Sequence, residues 1–183
     1  MKTAKFLLAL AMPLALMFAA VPASARSTAL EDALTKASKK IAGRAEIPQD
    51  AKFAFLDFRE TTSNLRLNLS YAIEDELSIA LIREMPGRLM IKNSTESLLS
   101  KISADRETLF NNLENLQSFG SIAGADYLIS GSYYFDSEYA IININVTSLK
   151  NGLMLVSERI KVKRAELSRK LQPKTAERAK RAI

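Results

Sequence analysis

The groups left to carry out chemistry in this sequence are carboxylates, hydroxyls, lysines and backbone amides, because its 183 residues include neither cysteine nor histidine. Without cysteine there are no disulfides, thiolate metal sites or cysteine nucleophiles. Without histidine the usual near-neutral acid–base group and the commonest zinc ligand are missing. The sequence also lacks a G-x-S-x-G elbow, a glycine-rich phosphate loop and an EF-hand pattern. We therefore expect no catalytic residues, no cofactor and no bound metal.

One carboxylate pair keeps a remote enzymatic alternative open. Asp57 lies near the end of an apolar stretch, and Asp126 opens a later one. Two carboxylates about 5–10 Å apart can hydrolyse a glycosidic bond, so this alternative requires both side chains in one cleft. The competing interpretation of Asp57 is a structural carboxylate that caps a helix or closes a loop.

The first 25 residues are typical of a secretory signal peptide. A positive start and an apolar run of about 16 residues precede Ala23-Ser24-Ala25, which predicts cleavage between Ala25 and Arg26. The run is shorter than the ~20 residues that span a bilayer, which disfavours a membrane anchor. We expect a periplasmic protein that is not lipidated, with association with the outer membrane left open.

Charge is distributed unevenly along the rest of the chain. Residues 26–158 contain 14 basic and 18 acidic side chains, whereas residues 159–183 contain 10 basic and 2 acidic ones. The basic tail is interpreted either as a solvated end or as a contact for anionic lipid, cell-wall polymer or an acidic partner. Nucleic acid is not expected as a partner of an exported protein. The candidate binding residues of the tail are Arg164, Arg169, Lys170, Lys174, Arg178, Lys180 and Arg181.

The elements in the first half alternate between helix and strand. A capping box at Thr28 and Glu31 predicts an amphipathic helix, followed by a linker, over residues 26–50. The apolar run at 52–58 predicts a strand buried on both faces. Apolar residues spaced by four from Leu65 to Leu81 predict a long helix. A second short strand is predicted at 88–92, giving a parallel β-α-β unit.

The second half changes from helical to strand periodicity. Two short helices are predicted before Gly120, and strands at 126–135, 139–149 and 153–163 form an antiparallel meander with a hairpin at Asn151-Gly152. In the last strand, Met154, Val156, Ile160 and Val162 are predicted to face inward. The fold class is therefore mixed α/β (α+β), with one domain over 51–164 and a basic tail over 165–183.

Three consecutive acidic residues form the candidate docking surface. Glu74, Asp75 and Glu76 lie beside or opposite the apolar stripe of the long predicted helix. The two interpretations are a solvated helix face and a charged surface that docks on a partner.

Several stretches resemble a group of bacterial envelope proteins. Phe53-Ala-Phe-Leu-Asp-Phe58 is similar to an opening strand, and residues 69–77 are similar to a first core helix. Gly124-Ala-Asp-Tyr-Leu-Ile-Ser-Gly131 and the Asn151-Gly152 hairpin complete the pattern. The group comprises the CsgG-like family, the TolB amino-terminal domain, the FlgO domain and the LpoB-like activators of penicillin-binding proteins.

This resemblance implies a mixed α/β domain that acts through protein contacts in the cell envelope, without enzymatic activity. The expected function is that of an exported accessory protein that assembles or activates an envelope machine for wall synthesis, motility or secretion. Binding to an anionic surface through the basic tail is the alternative.

Overall fold

The fold is a four-stranded mixed sheet with helices on both faces, seen in a computed structural model that describes residues 28–88, 95–168 and 171. The sheet order is β1-β2-β3-β4, with β1 parallel to β2 and the other pairs antiparallel. This arrangement confirms the predicted fold class. The elements are α1 (Ala29–Ala42), β1 (Phe53–Glu60), α2 (Asn68–Glu84), α3 (Thr95–Lys101), α4 (Arg106–Asn111), α5 (Leu113–Ala123), β2 (Tyr127–Phe135), β3 (Tyr139–Ser148), β4 (Met154–Lys163) and a 3-10 turn (Arg164–Glu166).

The first face of the sheet is covered by α1 and α2, which share one core with all four strands. Thr28 caps α1 by accepting the Glu31 N–H at 3.2 Å, as predicted. Helix α1, which lies within the segment 26–50 predicted as an amphipathic helix and linker, packs in the same core as the sheet. This first core combines buried residues of α1, α2 and the strands. They include Leu34 and Ile41 of α1, Ile73 and Leu77 of α2, and Ile129, Ile142 and Val156 of the strands.

The second face is covered only in part. Apolar side chains of α3, α4 and α5 form a separate core against β1, the start of β2 and the residue after β3. No residue of β4 belongs to this second core. No helix of the described part of the chain therefore covers the half of the sheet formed by β3, β4 and the adjoining end of β2 on this side, which we call the open sheet face. The core consists mainly of Ala54, Leu56, Leu98, Leu109, Leu116, Phe119, Leu128 and Leu149.

The parallel pairing joins strands that are distant in sequence. β1 pairs with β2, with Phe53 opposite Tyr127, and α2 to α5 lie between the two strands along the chain. The second strand predicted at 88–92 lies outside the described residues except for Arg88. The long helix begins at Asn68 rather than at Leu65, which is 57% exposed.

The inward set predicted for the last strand is wrong at Met154. Val156 pairs with Val146, but Met154 pairs with Thr147, so β4 carries one extra residue at a β-bulge. Because a bulge shifts the alternation by one residue, Met154 turns to the other face, where it is 57% exposed. Val156 and Val162 face the first core, as predicted.

The folded domain extends beyond the boundary predicted at residue 164. Leu167 is buried in the first core, and Leu171 packs partly against it. Leu171 is held by a backbone hydrogen bond in which its N–H donates to the carbonyl oxygen of Ser168, the residue after Leu167, at 2.9 Å. Leu167 and Leu171, at the start of the predicted tail, therefore pack with the core of the domain.

Candidate functional site

Asp57 lies at a β-bulge in β1. Phe55 and Phe58 pair with Ile129 and Gly131, so β1 has one more residue here than β2. Such an extra residue redirects side chains and bends the strand. The bulge places the Asp57 carboxylate on the second face of the sheet, where it meets α4.

Two arginines form ion pairs with that carboxylate. Asp57 is 5% exposed; its Oδ2 accepts from Arg59 Nε at 2.6 Å, and its Oδ1 accepts from Arg106 Nη1 at 3.1 Å. Arg106 also donates to the Gly131 carbonyl oxygen at 3.0 Å, which ties α4 to both parallel strands. Burial lowers the pKa of Arg106, although the charge of Asp57 opposes this. Asp57 is therefore a structural ion-pair partner.

Glu74 is also a structural group, which corrects its assignment to an exposed docking surface. Its carboxylate is buried at 5% exposure, and its Oε1 accepts the Phe58 N–H at 2.9 Å. Its Oε2 pairs with Arg66. Burial opposes the charged form of Arg66, but its hydrogen bond to Glu74 and the charge of Glu74 prevail and raise the pKa of Arg66. Glu74 fastens α2 to β1 and is not available to a partner.

The carboxylate pair required for a hydrolase does not converge. Asp126 accepts the Lys52 N–H at 2.8 Å, just before β1 begins. Lys52 and Asp57 are five residues apart along extended chain, a span of about 16 Å at ~3.3 Å per residue. The Asp126 carboxylate thus lies at the residue just before β1, whereas Asp57 lies in the second half of the strand. The predicted pairing of Asp57 with Asp126 is wrong.

The open sheet face lies beside the buried ion pairs and consists of residues from β2, β3 and β4. Its rows run across three strands, for example Ser132 on β2, Asn143 on β3 and Arg159 on β4. Arg159 Nε donates to Asn143 Oδ1 at 2.8 Å. On the wet face predicted for the middle strand, Asn143 and Asn145 are partly exposed polar residues, whereas Thr147 of the same face is buried at 3% exposure.

This open sheet face is basic along its outer strand. Arg159, Lys161 and Lys163 alternate with residues that face the core, and all three are exposed. Because Val156 and Val162 face the first core and successive side chains of a strand alternate, the side chains of these three cations lie on the second face. Asp57, which also faces this side, is already occupied by its two arginines.

One end of the open sheet face is apolar. Leu153 is 59% exposed and Met154 is 57% exposed, directly after the β3–β4 hairpin. Leu113, at the start of α5, is 46% exposed and lies next to Gly152 in the hairpin: a Cβ at Gly152 would be 3.5 Å from its Cδ1. An exposed apolar patch beside charged residues is typical of protein interaction sites.

The remaining predicted residues lie elsewhere. Asp75 is exposed and Glu76 is half-buried, both on α2 and therefore on the opposite side of the sheet from the open face. Their docking role stays a prediction. Arg164 lies over the Phe135 ring and donates to the Asp136 carbonyl oxygen at 2.9 Å. The signal residues Ala25 and Arg26 and the tail residues Arg169, Lys170, Lys174, Arg178, Lys180 and Arg181 lie outside the described part of the chain.

Sequence reasoning missed Arg106. A capping box precedes it, because Asp105 accepts the Thr108 N–H at 2.8 Å while Thr108 Oγ1 accepts the Asp105 N–H at 2.9 Å. That D-x-x-T pattern could have located the start of α4. The partners of Arg106 are set by the tertiary fold and have no local signal.

Among the described residues no group of three acidic side chains is arranged to hold a metal ion. Within those residues, too, no helix is long and apolar enough to cross a bilayer.

No protein-family model matches the chain, and no curated protein matches it significantly in sequence. Solved structures do share its fold. The LpoB C-terminal domain from Salmonella enterica superimposes with a TM-score of 0.57 at 12% identity, over 73% of this chain and 97% of that one. The same domain from Escherichia coli gives 0.55 at 13%, with the same coverage. The NMR structure of E. coli LpoB gives 0.55 at 10% identity, over 88% of this chain and 82% of that one. The chain thus has the fold of the LpoB C-terminal domain.

Proposed function

We propose that this chain is an exported, non-enzymatic accessory protein of the bacterial envelope that binds and activates a penicillin-binding protein. The observation that carries the proposal is the shared fold with LpoB C-terminal domains, which extends over almost their whole length. It favours the LpoB-like member of the group that the sequence resembles.

The state of the acidic side chains supports a binding role. Asp57 and Glu74, the buried carboxylates, are held by arginines and by a backbone N–H. Both therefore stabilise the join between the sheet and its helices. The open sheet face, by contrast, combines exposed cations with exposed apolar side chains, a composition suited to contact with another protein.

The experiment is a reconstitution with a penicillin-binding protein from the same bacterium. The purified chain is added to the enzyme, complex formation is measured by sedimentation, and the rate of glycan polymerisation is followed. We expect a complex of defined stoichiometry and a faster reaction.

The matched control is a synthetic peptide of residues 165–183, which is the whole of the predicted basic tail. If the peptide alone binds as tightly and accelerates the reaction as much, the folded domain is not the activator and charge attraction by the tail explains the effect. If the chain neither binds nor accelerates the enzyme, the proposed function is wrong. Binding of the peptide to anionic vesicles, lost at high salt, would favour the surface-binding alternative.

A further inference from the structure

The outer edge of β4 is an unpaired strand edge in the described sheet. β3 pairs with one side of β4, and no strand in the described ranges pairs with the other. The Arg164 N–H donates to the Glu138 carbonyl oxygen at 2.8 Å, which fixes the phase of the antiparallel ladder. Since backbone groups alternate between the two sides of a strand, those of Arg159, Lys161 and Lys163 point to the free edge.

The two sides of this edge differ in chemistry. On the second face, the edge residues present their own cationic side chains, which are exposed. On the first face, a groove of about 450 Å³ separates β4 from α1. Small residues of the helix (Ala29, Ala33 and Ala37) line it together with Ile160 and Val162. Its remaining lining residues are charged, three of them acidic (Asp32, Glu158 and Glu166) and three basic (Lys36, Lys40 and Lys161).

We propose that the β4 edge binds an extended, acidic segment of a partner protein by strand addition. The proposal rests on the proposed function, in that it identifies how the partner is held. The added strand would complete the backbone hydrogen bonds of Arg159, Lys161 and Lys163. Its alternate side chains would be apolar, in the α1 groove, and acidic, against the cations of the open sheet face.

Charge selects this occupant over two others. A second copy pairing through β4 would place arginine and lysine side chains opposite like charges, which destabilises a cross-strand pair. The basic tail of the same chain would meet the same repulsion, because residues 172–183 contain four cations and one carboxylate. The groove does not change this balance, because its three acidic side chains, Asp32, Glu158 and Glu166, are matched by three basic ones. Glu158 itself pairs with Lys40 Nζ at 2.7 Å.

The probe is a short synthetic peptide of alternating Glu and Val, with a peptide of alternating Lys and Val as its counterpart. Binding is measured by fluorescence anisotropy, and hydrogen exchange of backbone amides is measured by NMR on the full chain. We expect the acidic peptide to bind and to slow exchange at Arg159, Lys161 and Lys163. Amides of the intervening residues should change little, because they already donate to β3.

Two charge reversals separate the edge from general electrostatics. Lys161→Glu should weaken binding of the acidic peptide by about tenfold or more. Arg44→Glu makes the same charge change in the exposed loop after α1 and should leave the affinity within about twofold. Circular dichroism establishes that both variants are folded, and Lys163→Glu provides a second edge variant if Lys161→Glu does not fold.

The proposal is overturned if the folded chain does not bind the acidic peptide, or if both charge reversals weaken binding equally. Binding that leaves the three edge amides unprotected would show a side-chain contact without strand addition. A dimer in sedimentation that protects these amides would make a second copy the occupant. Activation of a penicillin-binding protein that persists in Lys161→Glu would refute this docking mode while leaving the proposed function intact.

Discussion

The arginine pair around Asp57 should contribute substantially to stability, and Arg106→Met tests this. The substitution keeps an apolar stem but removes the hydrogen bonds to the Asp57 carboxylate and to the Gly131 carbonyl oxygen. Leaving a buried charge without its partner typically costs about 3–5 kcal/mol. Arg59 still pairs with Asp57, and the Arg106 side chain is 23% exposed. We therefore expect a loss of about 2–3 kcal/mol in the free energy of unfolding.

The measurement is urea unfolding at neutral pH, followed by circular dichroism, on Arg106→Met, Asp57→Asn and the double variant. The sum of the losses in the two single variants should exceed the loss measured for the double variant by about 1–2 kcal/mol, because both substitutions remove the same interaction. Arg44→Met, in an exposed loop, is the control and should stay within about 0.5 kcal/mol of the wild type.

A loss below about 1 kcal/mol for Arg106→Met, with additive single variants, would refute this reasoning. The ion pair would then behave as an exposed salt bridge, whose contribution is about 0–1 kcal/mol. In that case the bulge in β1 would be held by backbone pairing and packing rather than by the charged cluster.

Two further predictions concern the sheet and its turns. Gly131→Ala should lower the free energy of unfolding, measured in urea, by about 1–3 kcal/mol, because a Cβ there would overlap the Phe58 ring and the Asn143 carbonyl oxygen. Gly43→Ala is the matched control, since a Cβ at Gly43 would lie 3.2 Å from the nearest atom, a backbone oxygen. Asp136 accepts the N–H groups of Tyr139 and Glu138, which lowers its pKa below the ordinary 3.8. Its stabilising effect is present above that value and is lost as the pH falls through the lower, folded pKa, so Asp136→Asn should flatten the acid end of a stability-versus-pH curve. Parallel curves for the two proteins below pH 4 would contradict this assignment.

Local sequence determined most of the elements, because their signals depend on neighbouring residues. The capping box at Thr28 located the start of α1, and the alternation in β3 gave its buried face and the partly exposed Asn143 and Asn145. Asn151-Gly152 located the hairpin between β3 and β4, where Gly152 has a φ of 73°. Glycine adopts this left-handed conformation without a steric penalty.

The two β-bulges were not foreseeable, since the residues that form them carry no local signal. At Met154 the alternation continues in the sequence, but the ladder with β3 takes up an extra residue and reverses the face. Around Asp57 the extra residue in β1 turns a carboxylate toward α4. Register is decided by pairing with a distant strand, so a pattern within one strand does not reveal a shift.

The chemistry of the carboxylates depended on tertiary structure as well. Composition alone excluded histidine and cysteine chemistry and gave the basic character of residues 159–183. Which acidic side chains are buried was decided by contacts between residues far apart, such as Arg106 with Asp57 and Phe58 with Glu74. The sequence by itself thus determined element types, caps and charge, because these are local or additive properties. Only the tertiary structure decided which charges pair in the interior and which remain on an open sheet face, because pairing depends on distances that folding creates.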